Sequence, residues 1–261
     1  MRRVALLTTL AVAGIAILAA AVAYAANTYA VQASVVPTGK GSKAKPNPTG
    51  VKFNYQVNGP AGAQPDAVKT YKIEFYGVRT NGGKFPACTF QKISQDQSGA
   101  NCPAGSKVGS GTLQSVVYQT GNPADPNSFP CNKSLAVYNS GENKATLLIT
   151  GPGDQCAGVS QPFIIDASFV KSSGGGEALQ FTVPPTILHP IPQFTVAVKN
   201  VTSTISRKRK TVTSKKTKKK RTYGYFESIA CLGSSRPIKV TFTEESGAVG
   251  SASTTSRCTA K

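Results

Sequence analysis

The chain has no tryptophan, a single histidine and eleven acidic residues set against thirty Lys and Arg. One histidine, His189, excludes most His-clustered metal sites, and no Cys-x-x-Cys pair offers thiolates in their place. No Asp-x-Asp-x-Asp-Gly run marks a calcium loop, so neither metal nor cofactor is expected. No Gly-x-Ser-x-Gly elbow presents a nucleophile. The glycines from Gly105 to Gly111 lack the Gly-Lys-Ser/Thr ending of a phosphate loop and a helix to follow it. After the first 26 residues there is no second long apolar run, and Arg257-Cys258-Thr259-Ala260-Lys261 is no hydrophobic anchor tail. No long segment of 3.6-residue periodicity appears after them either, and helix is expected to be nearly absent.

What is present begins with Arg2 and Arg3, followed by 23 uncharged residues from Val4 to Ala26 and the small-residue exit Ala23-Tyr24-Ala25. Charge, apolar stretch and small residues in that order read as a secretory signal over 1–25, cleaved after Ala25. The competing reading is an uncleaved anchor, since 23 residues can span a bilayer. With cleavage, no transmembrane span is expected. The mature part holds all six cysteines: Cys88, Cys102, Cys131, Cys156, Cys231 and Cys258. An even number in an exported chain reads as disulfides. Six cysteines allow fifteen pairings and sequence alone cannot choose; nearest neighbours are the expectation, each loop stabilising by roughly 3 kcal/mol.

Residues 26–49 are polar and carry Lys40, Lys43, Lys45, Pro37, Pro46 and Pro48, which reads as a flexible linker. From residue 50 the pattern changes. Val51, Phe53, Tyr55 and Val57 alternate with polar neighbours, as on a half-buried strand. About ten more short β-branched or aromatic runs follow, separated by turn clusters such as Asn81-Gly82-Gly83. The region 50–261 therefore reads as an all-β, antiparallel sandwich, immunoglobulin-like in general architecture. A variant of this reading has two β-modules, with a sub-boundary near 184–192, where prolines stiffen the chain.

Phe85-Pro86-Ala87-Cys88 and Asn101-Cys102-Pro103-Ala104-Gly105-Ser106-Lys107-Val108-Gly109-Ser110-Gly111-Thr112 resemble a signature of uncharacterised secreted proteins of high-GC actinobacteria. The stretch from Tyr225 to Cys231, the run Ile238-Lys239-Val240-Thr241-Phe242 and a closing Cys258 are similar to the later part of those chains. Ile238 stands where they usually carry an aromatic. The resemblance spans most of 51–258. It implies an exported β-sandwich and a Cys88–Cys102 pairing, and it brings no activity with it.

Two carboxylates in expected strands, Asp166 and Glu227, are the ones expected to be partly buried, and a carboxylate pair on facing strands is a hydrolytic chemistry the composition leaves open. His189, between Leu188 and Pro190, reads as a loop histidine. The feature that stands out is 207–221: Arg207, Lys208, Arg209, Lys210, Lys215, Lys216, Lys218, Lys219, Lys220 and Arg221. These ten cations, with no acid among fifteen residues, make up more than half of the net charge of +19. Flanked by two expected strands, the run reads as a hairpin arm whose like charges keep it mobile. Its expected partners are polyanions: an anionic cell-wall polymer, an acidic glycan, lipid headgroups, or nucleic acid held without sequence preference. The sequence thus reads as a non-catalytic envelope or extracellular protein. A surface module that binds a protein is second, and a secreted carboxylate-pair hydrolase third.

Overall fold

The computed structural model describes residues 26–151, 156, 161–213 and 217–259. The expected signal, 1–25, lies outside the described residues. The chain opens with β1 (Thr28–Val36), β2 (Asn47–Asn58), β3 (Val68–Phe75) and β4 (Val78–Thr80), then helix α1 (Phe90–Asp96). Next come β5 (Lys107–Gln119), β6 (Phe129–Pro130), β7 (Lys133–Gly141), β8 (Lys144–Thr150), β9 (Phe163–Lys171) and β10 (Glu177–Thr182). Helix α2 (Pro185–Leu188) leads to β11 (Phe194–Ile205), β12 (Arg209–Thr213), β13 (Lys220–Gly224), β14 (Phe226–Ser228), β15 (Ser235–Glu244) and β16 (Val249–Arg257).

The alternation seen in the sequence is the alternation of burial. In β2, Val51, Phe53, Tyr55 and Val57 are buried while Lys52, Gln56 and Asn58 face solvent, as the two-residue period of a strand requires. Starting from β1, the neighbours run β1-β2-β11-β5-β7-β8-β9-β10-β3-β15-β16, each junction antiparallel. With eleven strands in that circuit, successive reversals leave the first and last pointing the same way. They meet. Val35 N donates to Ser256 Oγ at 2.9 Å, and Gly39 forms a parallel bridge with Thr259. The Tyr29 ring stacks on Phe242 with centroids 4.2 Å apart. The sheet is therefore closed on itself by a parallel seam.

Aromatic side chains cross the enclosed space near that seam. Tyr55 of β2 reaches Tyr71 of β3 at 5.5 Å and Phe242 of β15 at 5.6 Å between centroids. Strands that are not neighbours in the sheet thus touch through their side chains, which makes the closed sheet sandwich-like. This is the all-β architecture that the alternation implies. Its inside is apolar and its strand exteriors carry residues such as Lys52, Gln56, Thr112 and Gln114. A barrel lying in lipid has the opposite polarity. Among the described residues no helix is long and apolar enough to cross a membrane.

Two expectations need correction. Residues 26–49 are not a linker: β1 pairs with β2 over nine rungs, from Thr28↔Asn58 to Val36↔Gly50. The inward side chains Tyr29, Val31, Ala33 and Val35 share one face, but Ala30 and Val36 are apolar on the other, so the alternation is faint. The region 184–192 divides nothing, because Val183, Leu188 and Ile238 belong to the same core as Val51. Helix is sparse but present: α1 is opened by Thr89, whose side chain accepts from Lys92 N, and it buries Ile93.

Disulfide-distance pairs join Cys88 to Cys102, Cys131 to Cys156 and Cys231 to Cys258, with Cα atoms 5.3, 4.7 and 6.1 Å apart. Three such pairs and no free cysteine among the described residues point to an oxidising, extracytoplasmic environment. In the glycine signature, Gly105 takes a positive φ of 85°. Gly111 lies so close to Thr202 O of β11 that no Cβ would fit there. The signature is an adaptation of β5 to its neighbour.

Candidate basic arm

The basic run folds into a ribbon. β12 and β13 pair antiparallel from Arg209↔Gly224 to Thr213↔Lys220 and form a two-stranded sheet apart from the main one. Opposed residues share a face. One face carries Lys210 with Tyr223 and Val212 with Arg221; the other carries Arg209, Thr211 with Thr222, and Thr213 with Lys220. Arg209, Lys210, Lys218, Lys219, Lys220 and Arg221 are all exposed. Neither face is covered, so the ribbon is held by its ladder and by a Thr211–Thr222 hydroxyl contact of 2.9 Å.

Its root is anchored by polar contacts. Arg207 Nε donates to Pro48 O at 3.0 Å and Lys208 Nζ to Gly105 O at 3.3 Å. Tyr225 N donates to Lys208 O, and Asn81 Nδ2 to Gly224 O at 2.8 Å. Glu227, fully buried, accepts from Gly224 N at 3.0 Å through one oxygen and from Arg79 at 2.8 and 3.0 Å through the other. Arg207 and Lys208 are thus root residues, while 209–213 and 217–221 project. Of the ten cations, Lys215 and Lys216 lie outside the described residues. Among the described residues, no acidic side chain forms an ion pair with any of the other eight.

Tyr223 differs from the two aromatics that follow it. Tyr225 and Phe226 are buried in the core. The Tyr223 ring is half-exposed, with the Arg221 guanidinium 4.7 Å from its centroid and Lys84 Nζ at 5.7 Å. Cation–π attraction holds both charges beside the ribbon. Lys84 is therefore an eleventh cation of the surface, delivered by the turn after β4. Nothing in the local sequence around Lys84 signals this; only the tertiary fold brings it there.

The remaining candidates for chemistry are engaged elsewhere. Asp166, expected to be partly buried, is half-exposed on the outer side of β9, between the inward Ile165 and Ala167, and pairs with Lys144 at 3.1 Å. Glu227 is held by Arg79 and Gly224 N as described. His189 follows α2, with Nε2 2.8 Å from Glu245 Oε2 and Nδ1 3.3 Å from Phe194 O. Both ring nitrogens face acceptors, an arrangement that fastens a loop. Thr195 Oγ1 lies 3.5 Å from Nδ1 but donates to Thr120 Oγ1. Among the described residues no three His, Cys, Asp or Glu side chains cluster as a metal site. Comparison of the chain with protein-family models, curated proteins and solved structures finds no match.

Proposed function

We propose that the protein is an exported, non-catalytic β scaffold that associates with polyanions of the cell envelope or its surroundings through the hairpin arm 207–221. The observation that supports this reading is a paired ribbon, exposed on both faces, whose described cations have no acidic partner. Exposed charges of one sign set close together attract a polymer of the opposite sign and release its counterions. Cell-wall phosphate polymers, acidic glycans, anionic headgroups and nucleic acid all offer that charge. With cations on both faces, the ribbon suits a polymer that wraps it rather than a flat surface.

The reading of a protein-binding module has less support. The large apolar side chains exposed among the described residues are Val36, Phe90, Leu232 and Val249, and Val36 and Val249 lie at opposite ends of the seam. Such scattered residues do not form the broad patch of a docking face.

The test is co-sedimentation with a linear polyphosphate, a sulfated glycan and duplex DNA across a salt series. The native protein is compared with one in which 209–221 is replaced by a short neutral turn. Engagement of six or more phosphates predicts a loss of roughly a thousandfold or more in affinity from 50 to 200 mM salt. It also predicts no binding by the replaced form. Equal binding by the two proteins would refute the arm as the anchor.

A further inference from the structure

The closed sheet has more strands than its side chains fill. Eight strands enclose a space that side chains can just occupy, and each further strand widens it. Here eleven strands surround one interior. Near the seam, Tyr55, Tyr71 and Phe242 cross and fill it. Beside them, β5, β7, β8 and β9 turn inward Leu113, Leu135, Leu147, Ile149 and Ile165, and these, with Tyr55 and Tyr71, line a cavity of about 120 Å³. An apolar cavity of about 150 Å³ stays dry and accepts a benzene ring. Among the described residues Lys133 is the one charged residue lining this cavity, and its ammonium lies 5.2 Å from the Phe163 ring centroid.

Phe163, at the start of β9, and Ile187, in α2, line the cavity and also a second hollow outside it, of about 600 Å³. Two half-buried side chains therefore separate the interior from the surface. The outer hollow has a different character. Ser94, Gln97, Gln161 and Thr186 line it between Pro162, Pro184 and Pro190, with no charged residue among the described residues. Ser94 Oγ is buried there without a hydrogen-bond partner among the described residues, and an unmet hydroxyl of that kind costs stability until something bonds to it.

We infer that this end of the fold is a binding site for a small neutral amphiphile. An alkyl or aryl group of about six carbons passes Phe163 and Ile187 into the apolar cavity. An uncharged, hydroxyl-rich head stays in the outer hollow against Ser94, Gln97 and Gln161. The site is independent of the arm, and a neutral probe keeps the two apart.

The experiment uses hexyl β-glucoside, with glucose as the tail-less control. It reads calorimetric titration, thermal shift and methyl NMR of the purified protein. Saturable binding is expected, with a raised Tm and shifts at the Leu147, Ile149 and Ile165 methyls, while glucose alone gives none. Ile149→Phe fills the cavity and should weaken binding at least tenfold without lowering Tm; Leu113→Phe serves the same purpose if that variant does not fold. Ser94→Ala should weaken the glucoside several-fold. No saturable binding, shifts confined to surface residues, or unchanged affinity in the filled variant would each overturn the site.

Discussion

Glu227 is the acid that a search for chemistry singles out, and its neighbours assign it another task. Every contact that satisfies its carboxylate is a fixed donor, from Arg79 or from Gly224 N. The sequence pattern places Glu227 in a strand, but Arg79 is 148 residues away, so its role as the clamp at the arm's root emerges only in the fold. Tyrosines offer a test at the same scale. Burial pushes the phenols of Tyr55, Tyr71, Tyr118 and Tyr225 above their ordinary value; burial, then the hydrogen bond to Glu244, does so for Tyr29. A phenol whose folded pKa is raised favours folding below its unfolded value, and that contribution fades as pH climbs beyond about 10. Stability should therefore fall steeply above that pH. Tyrosinate absorbance from these five should rise together with the loss of β signal in circular dichroism. A smooth titration near pH 10 with the β signal intact would contradict their burial.

At the scale of elements, legibility depended on how strongly a strand alternates. β2 and β15 place Phe, Tyr, Val or Ile at every second position and are plain in the sequence. β1 uses Ala30, Ala33 and Ser34, and the lysines and prolines of 37–48 beside it suggest an open linker. The arm was legible as charge and as a hairpin, but not in its register or in the residues that join it from elsewhere. Thr211, Val212 and Thr213 carry the β propensity that lets like charges pair in a ribbon, and Lys84 joins from a distant turn. Because neither face of the ribbon is covered, its loss should cost the scaffold little. Replacement of 209–221 by a neutral turn is expected to leave Tm within about 3 °C of the native value, on the usual scale of surface changes. A much larger drop in a melting experiment would mean that the arm is part of the fold.

At the scale of the whole molecule, closure is the property that no local pattern announces. Strand order follows from which inward faces meet, and a count of apolar runs cannot say that the first and last are adjacent. The six cysteines allow fifteen pairings, nearest neighbours are the expectation among them, and the fold places each beside its nearest neighbour in sequence. The cavity is likewise a sum over many inward side chains. Closure carries its own prediction. Removal of residues 26–36 strips the ladder from β2 and the cover from β16, which exposes Phe242 where Tyr29 stacks. Such a protein should lose its cooperative thermal transition or aggregate, as an open sheet edge does. An unchanged melting curve would mean that the segment is only a tether.

The parallel seam also sets the timing of the fold. Val35 meets Ser256, 221 residues later, so a chain delivered from its N-terminus, by ribosome or through a translocation pore, presents one half of the joint long before the other. The early strands can assemble, but the circuit stays open until β16 has arrived. Contacts so distant in sequence form slowly. An interrupted or clipped chain is left with an unpaired β1 edge, which is free to pair with another copy. The seam thus makes synthesis through β16 a condition for solubility, and a product cut short of it reveals itself by self-association.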